Sequence, residues 1–369
     1  MKLFLSFLLF LSLLGMGGSS AYGGEDWALV TKPRVWNFPK DFGAHPEYRT
    51  EWWYFTGNLV DHSGLRYGYQ LTFFRQGIRQ KPPNSGNSWD IRDIYLAHFA
   101  LTDVARNKFN AVDRLSRGGP GLAGASPDGM DVWLLNWSAR MKGSVIYLEA
   151  RDSGMELNFQ LVPRKPPILH GQNGYSQKGP VPGQASYYTS LTDPKTRGTL
   201  KLGSSETPIE VQGTSWFDQE FGSNQLSQDQ KGWDWFSLHL SDGKDLMIYF
   251  LRLKDGSVEP SSSGTLVAPD GASRHLSLSD LRVSVLDRWK SPRTKGEYPS
   301  RWRIQIPSAK IDLTVTPLIA DQELDTKDST GITYWEGAVA GKGGSGGREV
   351  SCEGYVELTG YAGILGGLF

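Results

Sequence analysis

Cysteine is nearly missing from this chain: Cys352 is the single one in 369 residues. One thiol excludes an internal disulfide framework and a cysteine-built zinc site. Surplus charge is also missing, since 39 Lys+Arg balance 39 Asp+Glu. A nucleic-acid binder needs a basic surface to displace counterions from phosphates, so that class is excluded. Charged residues make up only 21% and aromatics reach 12%, a composition opposed to long disorder. After residues 3–16, no stretch approaches the ~20 apolar residues of a membrane helix. No segment carries a long 3.6-residue apolar period. There is no H-E-x-x-H or H-x-H cluster, no G-x-S-x-G elbow and no dinucleotide fingerprint. Residues 341–347 are Gly-rich but lack the order of a phosphate-binding loop, and read as a flexible loop. No metal or cofactor is expected.

What is present is aromatic and glycine-rich: 13 Trp, 15 Tyr, 16 Phe and 44 Gly. Residues 1–21 read as a secretory signal peptide, with Lys2, an apolar stretch of about 14 residues and small residues at Ser19 and Ala21. The protein is therefore expected to be exported, to the periplasm or beyond. Behind it, short β-favouring segments alternate with turn chemistry. EWWYFTGNLVDHSGLRYGYQLTFFR reads as a hairpin, and GWDWFSLHLSDGKDLMIYFLR echoes it. Further strands are expected near 90–103, 144–150, 155–162, 187–190, 198–202, 209–214, 302–306, 311–316, 335–340 and 354–361. Their spacing suits a sandwich or barrel. The fold class is thus all-β. The echo places one unit at 22–228 and a second at 229–369. Residues 79–88 and 114–131 interrupt the pattern as loops, the latter with room for a short helix.

The chemistry-bearing feature is acids set among aromatics. In Trp216-Phe217-Asp218-Gln219-Glu220 an extended backbone puts Trp216, Asp218 and Glu220 on one face. Glu51 adjoins Trp52 and Trp53, Asp234 stands between Trp233 and Trp235, and Glu353 and Glu357 flank Tyr355. A carboxyl in an apolar pocket holds its proton to higher pH and serves as a general acid. Trp and Tyr faces attract a developing carbocation by roughly 0.5–2 kcal/mol each. The pairing suits proton-initiated chemistry on an alkene. A purely structural use of the same residues, as core aromatics and strand-end acceptors, stands beside it. His98 reads as a hydrogen-bonded strand histidine, and His45 as a better base because a loop position is expected for it. Cys352 reads as a buried thiol.

Together HPEYRTEWWYFTGNL, YQLTFFR, GTSWFDQEFGS, KGWDWFSLHLSDGKDLMIYFLR, YPSRWRIQIP and YWEGAV…EGYVELTGYAG resemble the AttH-like, carotenoid 1,2-hydratase (hydroxyneurosporene synthase) family. The resemblance runs from about Pro33 to Gly363. It implies two lipocalin-like antiparallel β-barrel domains packed together, with an apolar cavity near their junction. It also implies cofactor-independent chemistry in which an acid protonates an isoprenoid double bond and water adds to the cation. The carotenoid branch's acidic aromatic-x-Asp motif matches Trp216-Phe217-Asp218, so Asp218 is the expected proton donor. Its His and Trp on the preceding strand have no counterpart in Ser186-Tyr187-Tyr188-Thr189, which sets this chain nearer the secreted AttH-like branch. Asp218 and Glu220 are accordingly the expected catalytic pair. Trp216, Tyr187, Tyr188, Trp233, Trp235 and Trp53 are the expected pocket wall. The expected ligand is an apolar isoprenoid or lipid-like molecule. ABC-transporter components are the partners that the resemblance implies. A non-catalytic lipophile carrier and an envelope protein working through protein contact are the competing readings.

Overall fold

The computed structural model describes residues 27–80, 90–224, 227, 229–326 and 329–363. The leader and most of the 79–88 loop lie outside them. The architecture is all-β, with two antiparallel barrel-like sheets. A 14-stranded sheet runs from Thr50–Asp61 to Ile209–Gly222, and a 10-stranded sheet from Gln230–Leu240 to Arg348–Leu358. The first is nearly closed and the second is a half-barrel. Only short 3₁₀ turns, such as Lys40–Phe42, interrupt the strands among the described residues.

Alternation along each strand builds three apolar layers. In Thr50–Asp61, Trp53, Phe55 and Leu59 point into the first barrel, where they meet Leu71, Phe73 and Phe99. Trp302, Ile304, Leu313, Trp335 and Val356 fill the second. The residues between them point outward, and those of one sheet meet those of the other. Tyr54, Tyr188 and Trp216 from the first sheet pack on Trp235, Met247, Tyr249 and Tyr355 of the second. Each large apolar side chain so buried contributes about 1.5–3 kcal/mol. The two hairpins that echo each other in sequence, Thr50–Asp61 with Arg66–Gly77 and Gln230–Leu240 with Asp245–Leu253, therefore turn their outer faces toward one another.

Two expectations about loops are corrected. Residues 114–131 hold no helix: the strand Lys108–Arg117 reaches into them and a short strand, Ala123–Ala125, follows. Residues 341–345 are not a flexible loop but the end of the strand Ile332–Ser345, and the turn comes only at Gly346 and Gly347. The glycines serve close strand approach there. A Cβ on Gly343 would stand 2.0 Å from the Asp312 carbonyl oxygen, so the ladder accepts no side chain.

Glu51 and His45 have a structural setting. Glu51 is buried and receives His45 Nδ1 at 2.8 Å, the His45 backbone N–H at 2.8 Å and Gln219 Nε2 at 2.9 Å. His45 stacks on Phe221 at 3.6 Å. Burial alone would lower the His45 pKa, but Glu51 and Asp41 outweigh it and raise it above 6.5. Burial would likewise raise Glu51, but His45 and Arg75 hold it below 4.5. The His45 contribution to stability is complete below pH 6.5 and fades as pH rises through its raised folded value. The Glu51 contribution is complete above pH 4.5 and fades as pH falls through its lowered folded value. His45→Gln is expected to remove the alkaline decline and to weaken the acid decline, which Arg75 and the backbone N–H at position 45 then sustain, read as urea midpoints across pH. A midpoint profile identical to wild type would contradict the pairing.

Candidate active site

A cavity of about 100 Å³ lies between the two sheets, outside both barrels. Trp52, Tyr54, Phe74 and Tyr188 wall it on the first sheet, and Trp233, Trp235, Tyr249 and Tyr334 on the second. Three carboxyl groups also line it: Glu220, Glu336 and Glu357.

Asp218 stands one layer behind this wall. Asp218 is 3% exposed, and the side-chain donors to its carboxyl among the described residues are two hydroxyls and an indole. Tyr188 donates its O–H to Oδ2 at 2.5 Å, Trp216 donates Nε1–H to Oδ1 at 2.5 Å, and Ser190 donates to Oδ1 as well. Two of these donors are themselves supported. The Trp235 indole donates to the Tyr188 hydroxyl at 2.9 Å. His170 lies 2.5 Å from Ser190 Oγ through Nε2 and 2.8 Å from Thr265 Oγ1 through Nδ1. Since Ser190 donates to Asp218, the network assigns the His170 proton to Nε2. Burial drives the His170 pKa down to about 3, so the ring is neutral.

Burial pushes the Asp218 carboxyl up to about 7, against the lowering effect of Ser190, Tyr188 and Trp216. An acid in this range exchanges its proton near neutrality. Its route to the cavity passes through Tyr188, the one of its direct partners that lines the cavity. When Asp218 carries the proton this bond can reverse, with Asp218 donating to the phenol oxygen and the phenol proton free to turn into the cavity.

Glu220, two residues on, shares the face as the alternation predicts. It is bound by Lys178 Nζ at 2.9 Å and by Ser186. Lys178 in turn sits 4.0 Å from the centre of the Tyr249 ring. Trp216 shares that face too. It meets Trp235 edge to face, with ring centres 6.2 Å apart, and touches Asp218 rather than the cavity.

Tyr187 and Trp53 stand elsewhere. Tyr187 points to the opposite side of its strand, packs with Val30 and Phe221, and donates to the Lys32 carbonyl. Trp53 lies inside the first barrel, with its indole on the Phe42 carbonyl at 2.9 Å. Both miss the cavity by one residue of alternation, and their neighbours Tyr188 and Trp52 line it instead. Asp234 also turns away, paired with Arg252 at 2.8 Å and Tyr361 at 3.0 Å. His98 lines the cavity while bonded to the Tyr334 hydroxyl at 2.7 Å; burial holds its pKa down to about 3. Cys352 is buried, and burial raises its thiol to about 12.

Sequence reasoning gave no role to Glu336, although it falls within the YWEGAV motif. Glu336 is 1% exposed, and no well-formed hydrogen bond reaches either of its oxygens among the described residues. Burial, then the nearby Glu357, pushes its carboxyl well above the usual range; the Tyr54 and Tyr334 hydroxyls only temper this. Burial also raises Glu357 to about 7, with the Trp233 indole opposing and Asp218 and Glu220 adding to the rise. The available signal was parity with Tyr334, since residues two apart share a face. A separate cluster, Asp193, His239 and Asp245, has metal-ligand proximity. Its charge is balanced by protein cations, because Arg164 binds Asp193 and Lys165 binds Asp245 at 2.7 Å.

The AttH-like family model matches residues 29–361. An AttH-type protein of Nitrosomonas europaea has a similar structure, with 34% identity and a TM-score of 0.80, over 90% of this chain and 99% of that one. Kievitone hydratase from Nectria haematococca shares the fold at 15% identity and a TM-score of 0.68, over 92% of this chain and 97% of that one. CghA shares it more distantly, at 12% identity and a TM-score of 0.50, over 89% and 94%. No curated protein matches the sequence. The family model and the similarity to the Nitrosomonas protein both extend across the two sheets and the cavity between them, and the chain belongs to the AttH-like family.

Proposed function

We propose that the protein is an exported, cofactor-independent hydratase for an apolar, branched alkene of isoprenoid or lipid-like type. The observation that carries this reading is Asp218, a carboxyl buried behind aromatic rings, held near neutral pKa and joined to the cavity by the Tyr188 hydroxyl. The Tyr188 proton passes to the less substituted alkene carbon, and Asp218 returns a proton to the phenol oxygen. The π electrons of the alkene form the new C–H bond and leave a tertiary cation on the other carbon. Trp52, Trp233 and Trp235 lie around the cavity, where ring faces attract such a cation by about 0.5–2 kcal/mol each. Water then forms the C–O bond and gives up one proton. Glu220, neutralised by Lys178, holds that end of the cavity without adding net charge. Kievitone hydratase, which has the same fold, is by name a hydratase, in keeping with this reaction class.

The test is mass spectrometry of organic extracts after the purified protein has been incubated with a lipid and isoprenoid extract. The expected result is a product heavier by one water with wild type and none with Asp218→Asn. Recovery of the same unmodified lipophile from both proteins would replace this reading with that of a carrier.

A further inference from the structure

We propose that Glu336 and Glu357 form a facing carboxyl pair on the second sheet that holds the attacking water and takes its proton. The inference rests on the hydratase reading and adds the half of the reaction that Asp218 does not perform.

The geometry comes from strand register. Glu336 and Glu357 are direct cross-strand partners between Ile332–Ser345 and Arg348–Leu358, and Glu357 is also the partner of Trp235. Residues directly opposite across antiparallel strands project to the same face. That face is the cavity, which both glutamates line. Asp218 and Tyr188 belong to the other sheet, so the two acid units approach the cavity from opposing walls.

The orphaned polar atoms converge on the same place. Both Glu336 oxygens, Gln70 Oε1 and the Tyr54 hydroxyl are buried with no well-formed hydrogen bond among the described residues, and all three residues line the cavity. With Glu336 protonated these are two acceptors, its carbonyl oxygen and Gln70 Oε1, and two donors, its O–H and the Tyr54 hydroxyl, which match a water molecule's two hydrogens and two lone pairs. Leaving such groups unsatisfied in a dry interior is costly, most of all for a charged one.

The surrounding charges favour one proton on the pair. On their own sheet the two carboxyls face Tyr334, Tyr355 and the Trp233 indole. From the first sheet they face Tyr54, the neutral His98, Asp218 and the Glu220–Lys178 ion pair. Glu336 has no ion-pair partner among the described residues, and like charges this close do not both ionise. Glu336 therefore keeps its proton and orients the water. Glu357 is ionised for part of the time near pH 7 and accepts the water proton as the C–O bond forms. The balance closes: the alkene gains H and OH, Asp218 is left ionised, Glu357 is left protonated, and solvent returns the proton from one to the other.

The experiment combines infrared titration of the carboxyl C=O band with turnover of wild type, Glu336→Gln, Glu357→Gln and Glu336→Asp. The infrared reading needs no substrate. The expected result in wild type is one protonated band that persists above neutrality and is lost in Glu336→Gln. Two further bands should titrate near pH 7, one of which is lost in Glu357→Gln while the other, from Asp218, stays. In turnover, kcat is expected to fall roughly 10²-fold or more in both Gln variants with KM unchanged, and to recover in part in Glu336→Asp. Wild-type kcat in both Gln variants, with hydration intact, would overturn the pair while sparing the hydratase reading. Absence of hydration in wild type would overturn the hydratase reading and the water-activating role together. A pair in which neither carboxyl titrates near neutrality would overturn the one-proton assignment whatever the turnover.

Discussion

Asp218→Asn is expected to abolish turnover while leaving the fold and ligand binding intact. Asn matches Asp in shape: its oxygen, in the Oδ1 position, still accepts from Trp216 and Ser190, and its amide N–H, in the Oδ2 position, donates to the Tyr188 oxygen, so the wall of the cavity stays in place. What is lost is the proton. A positioned general acid contributes typically 10²–10⁴-fold, and a hydratase without a cofactor has few other sources of rate. The wild-type rate is expected to fall as pH rises above about 7, because burial sets the Asp218 proton loss there and only the neutral carboxyl can donate, and to fall again on the acid side as Glu357 is protonated. Tyr188→Phe should reproduce much of the loss, since it cuts the route from Asp218 to the cavity. Steady-state kinetics across pH and near-ultraviolet circular dichroism check both variants. A folded Asp218→Asn protein with wild-type kcat would remove Asp218 from the mechanism.

Arg75→Met is expected to destabilise the protein by about 3–5 kcal/mol, the usual cost of taking one partner from a buried ion pair. Arg75 is 2% exposed. It binds Asp93 at 2.9 Å, stands 3.5 Å from Glu51, and donates to the carbonyls of His45 and Tyr48 at 3.0 and 2.7 Å. Met fills similar space but leaves Asp93 and two carbonyls without that donor and Glu51 with less compensation. Urea unfolding of the two proteins measures the difference. The cost should shrink in an Arg75→Met, Glu51→Gln double variant, which removes the stranded charge. A loss below about 1 kcal/mol, as for an exposed pair, would contradict the view that this network holds the first sheet to its N-terminal segment.

Much of the fold was legible because it rests on local rules. Alternating aromatic segments and Asp/Gly turns marked the hairpins, and the echo between the two aromatic hairpins corresponds to the two faces that meet at the cavity. The glycines at 341–345 misled because composition alone does not distinguish a mobile loop from a strand that needs close backbone approach. Within the site, the i, i+2 rule placed Trp216, Asp218 and Glu220 together, and the structure has them on one face. The same rule gives parity but not direction. It separates Tyr187 from Tyr188 and Trp52 from Trp53 without saying which of each pair faces the cavity. That choice depends on which side of each sheet becomes the barrel interior. Glu336 was less legible still. Its partner Glu357 lies across a hairpin, and its significance comes from burial and unpaired oxygens, which no spacing reports.

The most direct test of the account is incubation of the wild-type protein with a lipid and isoprenoid extract in water enriched in heavy oxygen. The account predicts a product that carries one heavy oxygen at the more substituted carbon of a former double bond, formed at a rate that peaks near neutrality and falls on both sides of it. A lipophile recovered from the protein unlabelled and unchanged would contradict it and leave the cavity as a carrier's binding site.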